Sequence, residues 1–451
     1  MLRKELIMAT NTISRRGLLQ AGGTAVAGMS VLQISGSAEA LGTGSSDSVP
    51  WLRNHGDPPE TYPGNPNDDV ILWEDQPPPF PPGMGVGNQL VWEDLSSRLT
   101  PADDFFFVSH YNHPVIDPTT WRLGIDGLVA HPASLSLADL QARSHREVEF
   151  TLECSGNTAF PAFIGGVGNA VWGGAPLAPL LRSAGPLESA TEVVFWGTDS
   201  GTVTIRDNSG IVTPPTPGTG TATPDPDITG RYDITITEQF ARSMTIDAAM
   251  AQGNLLCYEM NGQPLPIEHG FPVRLIAPGW YGVANVKWLQ RIELIDHRYA
   301  GRFMARDYVT FREHTDPAGN TTWTFQNVGP YRLKSAPVKV TRKVQGNTSK
   351  YRVIGVAWGG PIARVEVSID GGPWRQAQVI DPDSHGGPSK ALAWNFWTYN
   401  WGQATPGHHT VASRAIDTHG AIQPAPDDPI ITDRRTYWEA NQQITRSILL
   451  P

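Results

Sequence analysis

Short apolar runs separated by Gly, Pro and polar residues make up most of the chain, and they predict strands rather than long helices. In the middle of the chain, Glu192–Trp196 and Val273–Ala277 are such runs, each bounded by turn residues. Two short helices are predicted beside them. Ser136 opens a capping box, and Thr245 can cap a helix that reaches Ala251. The mixture predicts an α+β domain.

The pattern changes after about residue 333, where apolar and polar positions begin to alternate in part. This alternation is seen in Tyr351–Trp358, Ile362–Ile369 and His409–Ile416. Asp370-Gly-Gly supplies a hairpin-type turn between two such runs. We therefore predict an α+β domain at 95–332 and a second domain at 333–451, a β-sandwich of the immunoglobulin-like kind.

Two other stretches have no such periodicity. Residues 41–94 are rich in Pro and Gly and predict an extended N-terminal arm that wraps the body or remains mobile. A Thr/Pro/Gly-rich segment, about 213–228, interrupts the first domain and is predicted to be a surface insertion.

Residues 1–40 have the pattern of an export signal. Ser14-Arg-Arg-Gly-Leu-Leu leads into a small, apolar stretch, and Ala38-Glu-Ala supplies a cleavage site. Paired arginines before a weakly hydrophobic segment indicate the twin-arginine route and a periplasmic location; the alternative is a Sec signal or a membrane anchor. No other stretch approaches the roughly 20 apolar residues of a membrane helix, so we expect no membrane span in the mature chain.

Composition narrows the function classes. Acidic residues outnumber basic ones 44 to 34 among 451 residues, for a formal charge of −10, which argues against nucleic acid as a partner. The two cysteines, Cys154 and Cys257, exclude a disulfide framework and a multi-cysteine zinc site.

Cys154 is the first residue that could carry chemistry. It ends the apolar run Thr151-Leu-Glu and is followed at once by Ser-Gly-Asn157, so its thiolate could act as a nucleophile or a soft metal ligand. The alternative is a buried small hydrophobe, which is also our interpretation of Cys257 within Asn254-Leu-Leu-Cys-Tyr-Glu.

A second segment, His269 to Trp288, alternates His, Arg and Lys with strand-forming residues and glycines. Such donors, with backbone amides that glycine leaves accessible, suit a bound phosphate. The same segment could instead be a solvated face.

Together these two segments resemble the sulfite oxidase family of molybdopterin enzymes, with similarity over roughly residues 95–445. In that family the cysteine of a Cys-x-Gly-Asn turn ligates molybdenum, and a His-Gly-x-Pro-x-Arg pattern followed by Val-Lys-Trp binds the pterin phosphate. The resemblance implies a molybdenum-molybdopterin cofactor with Cys154 as the metal ligand. It also implies cofactor contacts from Ser109, His110, Asn112, His113, Asp199, His269, Arg274, Asn285, Val286 and Lys287. The catalytic residues it implies are Cys154, Trp172, Arg242 and His110.

Three positions depart from the family pattern. Ser109 stands where an arginine is expected, Thr158-Ala159 replaces a second arginine, and Phe240 occupies the position of a tyrosine. Because a desolvated sulfite dianion needs compensating positive charge, these changes should weaken sulfite binding. Compensation could come from His110, His113, Arg242 or a basic residue of the second domain.

The resemblance implies an oxidoreductase that oxidises sulfite, or sulfane sulfur on a carrier protein, by oxo transfer. No haem motif is present, so the implied electron acceptor is a separate c-type cytochrome, and the second domain implies a homodimer. One alternative is a sulfoxide reductase, although its known type lacks the C-terminal β domain. Another is a cofactor-binding protein without turnover. A purely structural β-sandwich protein would leave Cys154 and the phosphate-binding pattern unexplained.

Overall fold

The computed structural model describes residues 62–77, 85–159, 163–206, 221–224, 232–380 and 392–451. These residues all belong to one contact-connected unit, Val49–Pro79 with Gly85–Pro451. The predicted signal segment 1–40 and most of the predicted insertion 213–228 lie outside the described residues. Within them, no helix is long and apolar enough to cross a membrane.

Two sheets form the first half of the chain. One has the order β5 (Ala133–Leu135), β4 (Leu123–Gly127), β14 (Leu289–Ile295), β8 (Glu192–Arg206), β10 (Tyr232–Thr245), β9 (Thr221–Pro224). The other has the order β12 (Gln263–Pro264), β11 (Leu255–Met260), β7 (Val167–Pro176), β6 (Arg146–Glu153), and β13 (Arg274–Ile276) also pairs with β11. Two further pairs are β2 (Val86–Gly87) with β3 (Phe107–Val108), and β15 (Val309–Thr315) with β16 (Thr321–Asn327).

Helices are few and short. They are α1 (Leu137–Gln141), α2 (Leu177–Ala184), α3 (Ile246–Ala249), α4 (Arg302–Ala305) and α5 (Pro429–Thr432), with 3-10 turns at Trp92–Asp94, Ala102–Asp104, Ile267–His269 and Gly282–Ala284. The predicted capping box is confirmed, because Ser136 and Asp139 each accept a backbone N–H of the other. Thr245 caps α3 as predicted.

The C-terminal part is a two-sheet β-sandwich, and the predicted α+β organisation is confirmed. One sheet has the order β1 (Asp69–Ile71), β17 (Lys334–Gln345), β18 (Thr348–Trp358), β22 (Asn395–Gly402), β21 (Gln378–Val379). The other has the order β20 (Arg375–Gln376), β19 (Ile362–Ile369), β23 (Gly407–Asp417), β24 (Ile444–Leu450). Asp370 and Gly371 both have positive φ, as the predicted hairpin turn requires.

The N-terminal arm is part of this sandwich. Strand β1 pairs antiparallel with β17, and Trp73, which is 3% exposed, packs in the sandwich core. The Trp73 indole N–H donates to the Val338 carbonyl at 2.8 Å, and Glu93 accepts the Trp73 backbone N–H at 3.1 Å. Residues 62–77 therefore complete the C-terminal sheet from a distant part of the sequence.

A segment near the C-terminus returns to the first sheets. The Glu439 N–H donates to the Ser155 carbonyl at 2.7 Å, and the Gln442 side chain donates to the Thr158 carbonyl at 3.0 Å. The Trp438 ring stacks on Tyr308 with centroids 4.1 Å apart. The turn that contains Cys154 belongs to the first predicted domain and is consequently in contact with the second.

We expect Trp73→Ala to lower the free energy of unfolding by about 3–5 kcal/mol, because it leaves a cavity in the sandwich core. The measurement is urea denaturation monitored by circular dichroism. Leu72→Ala is the matched control, since Leu72 is 63% exposed, and it should change stability by no more than about 0.5 kcal/mol. Equal effects of the two substitutions would contradict the structural role of the arm.

Candidate active site

The turn that carries Cys154 follows directly from the end of β6. The Cys154 N–H donates to the Gly166 carbonyl at 2.8 Å, and the Asn157 N–H donates to the Cys154 carbonyl at 2.9 Å. The Asn157 side chain fixes the turn from inside, because its oxygen accepts the Gly166 N–H and its nitrogen donates to Glu153, both at 3.0 Å. These contacts explain why an asparagine stands three residues after the cysteine, which stays partly exposed.

The segment His269–Trp288 folds against the same turn. Gly270 has φ +105°, and a Cβ there would come within 2.9 Å of the Lys287 Cβ, so glycine is required at this crossing. Gly282 lies over the Cys154 turn, since a Cβ on it would meet the Glu153 carbonyl oxygen at 3.3 Å. The two segments singled out in the sequence therefore meet in the fold.

One cavity joins them. It is lined by Ser109, His110, Cys154, Asp199, His269, Arg274, Asn285 and Lys287 among the predicted site residues, together with aromatic and small side chains. The space between its walls, including the part open to solvent, is about 630 Å³.

Basic side chains lie at the end formed by His269–Trp288, where Arg274 is buried and Lys287 is partly buried. The Arg274 guanidinium donates to the carbonyls of His269 and Asn285, each at 3.0 Å. Lys287 Nζ donates to Ser109 Oγ at 3.0 Å and to the Glu268 carbonyl at 2.8 Å. These contacts orient both cations. The acceptors in the four hydrogen bonds are three carbonyls and one hydroxyl, and none of them is a carboxylate.

Burial makes this end electrostatically unfavourable for positive charge. Desolvation and the neighbouring Arg274 lower the pKa of Lys287 to about 7, and desolvation lowers the pKa of Arg274 to about 10. Desolvation, then Arg274 and Lys287, lowers the pKa of His269 to about 3, so this imidazole is neutral at pH 7. An anion bound here would relieve the repulsion between the cations.

Asp199 lies in the same wall. Burial raises the pKa of its carboxyl to about 7, with Lys287 acting in the opposite direction. Its Oδ1 and the Arg274 Nε are both buried without a hydrogen-bond partner among the described residues. The cavity therefore offers an unused acceptor and an unused donor to a polar ligand.

At the Cys154 end the walls are aromatic. His110 Nε2 and the Tyr308 hydroxyl lie 2.5 Å apart, and the His110 ring stacks on Phe240 with centroids 4.9 Å apart. Burial raises the pKa of Tyr308 well above its usual value, and the Cys154 thiol contributes in the same direction. Tyr308 lies outside every motif singled out in the sequence, so no local pattern pointed to it.

The pKa of the Cys154 thiol itself is raised to about 12, chiefly by burial. Without a cation the thiol is protonated at pH 7, and metal coordination is what deprotonates such a group.

Other predicted contacts lie beside the cavity rather than in its wall. Asn112 is exposed, and its oxygen accepts the Ser200 N–H at 2.8 Å. His113 is also exposed and packs on Trp288 with ring centroids 5.5 Å apart. The side chain of Val286 is buried, and its carbonyl accepts the Leu275 N–H at 2.8 Å.

Trp172 and Arg242, both expected to be catalytic, are not among the residues that line the cavity. Trp172 is fully buried and packs against the Arg274 guanidinium. The Arg274 Cζ lies 5.0 Å from the centroid of the Trp172 ring. The Arg242 guanidinium is buried and donates to the carbonyls of Phe303 and Val328. Both are thus buried side chains outside the lining of this cavity, and their catalytic role stays a prediction.

The positions where arginines are missing have a common feature. Ser109 accepts a hydrogen bond from Lys287 at 3.0 Å, and Thr158 accepts one from Lys334 at 3.1 Å. In each case a hydroxyl occupies the position and accepts a hydrogen bond from a lysine of this chain. Lys334 is buried and Lys287 is partly buried.

Two family models and several known proteins are similar to this chain. The family model described as "Oxidoreductase molybdopterin binding domain" matches residues 110–213 and 227–303, and the model described as "Mo-co oxidoreductase dimerisation domain" matches 333–434. Sulfite oxidase of Gallus gallus is 30% identical, over 78% of this chain and 75% of that protein. Mitochondrial sulfite oxidase of Rattus norvegicus is 32% identical over 74% of this chain, which corresponds to 59% of the rat protein.

One solved structure shares the fold. It is the crystal structure of the sulfane dehydrogenase SoxCD from Paracoccus pantotrophus, which matches with a TM-score of 0.63 at 21% identity. The match covers 90% of this chain and 100% of that chain.

We expect Cys154→Ser to abolish turnover while the protein stays folded, because a hydroxyl is a poor substitute for a thiolate as a metal ligand. Cys257→Ser is the matched control. Cys257 is fully buried, and its thiol donates to the Glu259 carbonyl at 3.1 Å, so serine should leave turnover nearly unchanged. The measurements are steady-state rates and bound molybdenum per chain. Equal losses from both substitutions would argue against Cys154 as the ligand.

Arg274→Met should lower the amount of pterin that copurifies by about tenfold or more, because it removes a charge-assisted donor worth roughly 1.5–3 kcal/mol. Pterin is measured by fluorescence after oxidative release. Arg291→Met is the control, since Arg291 pairs with Asp126 and Glu293 away from the cavity. Unchanged pterin in Arg274→Met would remove this residue from the site.

Proposed function

The chain belongs to the sulfite oxidase family of molybdopterin-dependent oxidoreductases, and we propose that it oxidises a sulfur compound by adding one oxygen atom derived from water. The observation that carries the proposal is the cavity that has Cys154 at one end and the basic side chains of Arg274 and Lys287 at the other. A metal-bearing pterin with a phosphate needs these two ends together.

The residues present fit the molybdenum-molybdopterin cofactor. Cys154 supplies a soft thiolate, which is a suitable ligand for this metal. Arg274 and Lys287 supply cationic donors for the phosphate, and the unpartnered Oδ1 of Asp199 can accept an N–H of the pterin. When bound, the cofactor supplies the transferred oxygen and accepts two electrons.

The protein's own contribution is to place the substrate and to take up protons. Oxidation of one sulfur atom with water releases two protons and two electrons, which leave one at a time to a one-electron acceptor. His110 Nε2 and the Tyr308 hydroxyl, 2.5 Å apart in the cavity wall, can hold one of these protons. We propose a c-type cytochrome as the acceptor.

Among the described residues, Arg274 and Lys287 are the only Arg and Lys that line the cavity, and both are needed at the cofactor end. The Cys154 end is aromatic instead, with Phe240 and Tyr308. This wall favours sulfur of low charge, such as sulfane sulfur on a carrier, over the free sulfite dianion, whose desolvation would need compensating cations. The proposed substrate is therefore carrier-bound sulfur, with sulfite as the second candidate.

We also propose a cellular location, an oligomeric state and a fold for the second domain. The paired arginines of residues 1–40 support export by the twin-arginine route to the periplasm. The match of 333–434 to a dimerisation domain supports a homodimer, and the two-sheet sandwich supports an immunoglobulin-like arrangement.

The test is ferricyanide reduction by metal-loaded protein with two substrates, a cysteine persulfide peptide and free sulfite. We expect saturable turnover of the peptide and a kcat/KM for sulfite at least about tenfold lower, since one charge-assisted contact is worth roughly 1.5–3 kcal/mol. More efficient turnover of sulfite would overturn the preference for carrier-bound sulfur. Full metal loading with no oxidation of either, but viologen-dependent sulfoxide reduction, would favour the reductase alternative.

A further inference from the structure

Lys334 is the first residue of β17, in the C-terminal domain, yet the hydrogen bonds of its side chain are made to the Cys154 turn. Its side chain is fully buried, and Nζ lies 2.5 Å from Glu153 Oε1, 3.1 Å from Thr158 Oγ1 and 3.5 Å from the Asn157 carbonyl oxygen. The three acceptors lie on either side of Cys154 in sequence. One ammonium group therefore ties both ends of the turn together.

Trp358 completes the attachment. Its indole N–H donates to the second carboxylate oxygen of Glu153 at 2.9 Å. Trp358 is the direct cross-strand partner of Lys334 in the β17–β18 ladder. Glu153 is thus held at both oxygens by one residue pair of the C-terminal domain, and the sheet register of that domain fixes the pair.

Burying an ion pair such as Lys334–Glu153 carries a large desolvation free energy. Each buried ion costs several kcal/mol of desolvation, and well-packed apolar residues often stabilise a protein as well or better. What apolar residues cannot do is supply hydrogen bonds with fixed directions to three groups of a turn. The pair is therefore better explained by placement of the turn than by stability alone.

We propose that Lys334 is a positioning residue for the metal ligand: by holding Glu153, Asn157 and Thr158, it fixes the direction from which Cys154 Sγ meets the metal. The inference rests on the cofactor and not on the proposed substrate. Groups around a ligand commonly tune a metal site in this way.

The test uses the full chain loaded with molybdenum and Lys334→Met. Two quantities are measured, the Mo(V) electron paramagnetic resonance spectrum after reduction with dithionite and the molybdenum retained per chain after gel filtration. We expect altered g-values, which report the orientation of the thiolate, and about tenfold weaker metal retention. Neither readout requires turnover, so failure of the proposed substrate would leave this test interpretable.

Lys339→Met is the matched control. Lys339 is a buried lysine of the same strand that packs on the Tyr62 ring, with Nζ 5.1 Å from the ring centroid. This substitution should leave the spectrum and the metal content unchanged. If Lys339→Met altered the spectrum as much as Lys334→Met, the effect would come from general loosening of the strand and the proposal would be wrong.

The double variant Lys334→Met/Glu153→Gln separates positioning from the penalty of an unpaired buried charge. It removes both charges, so its melting temperature should lie closer to that of the parent than that of Lys334→Met does. Thr158 and the Asn157 carbonyl still lose their donor, so the spectrum should remain altered. A parental spectrum and parental metal retention in the folded double variant would overturn the proposal.

Discussion

Buried positive charge has to be compensated at both ends of the cavity, and the surrounding structure is arranged around this requirement. At the Cys154 end, Lys334 has no exposure to solvent and is neutralised by Glu153. At the other end, Arg274 and Lys287 are oriented by carbonyls, with Asp199 as the acidic neighbour that favours the charged form of Lys287. The charge of Lys334 at the first end is therefore balanced within the protein, whereas the cations at the second end are ready for an anion.

Both halves of the chain contribute residues to this arrangement of charges. The first sheets supply Cys154 and the phosphate-binding segment, and the sandwich supplies the cation that holds the turn. The returning segment adds a second attachment, because Glu439 and Gln442 bond to Ser155 and Thr158. The C-terminal domain, which matches a dimerisation domain, therefore also holds the turn that carries Cys154.

Much of the architecture could be read from local patterns. The strand Ile362–Ile369 has the predicted bounds, and the helix caps at Ser136 and Thr245 form as expected. These features depend on residues a few positions apart, which a pattern records directly. The pairing of β1 with β17 joins residues far apart in sequence, and so no local pattern in the N-terminal arm predicted it.

The residues of the active site likewise fall into those that local motifs predict and those that only tertiary packing brings together. The sequence alone indicated the cofactor family and the groups expected to bind it, because Cys154, His269, Arg274 and Lys287 lie in short motifs that resemble those of the sulfite oxidase family. Only the tertiary structure decided which other groups join them. It placed Tyr308 against His110 and Lys334 against Glu153, and it turned Arg242 towards backbone carbonyls behind the wall. The physical reason is that a motif specifies contacts along the chain, whereas compensation of a buried charge depends on whichever element packs against it.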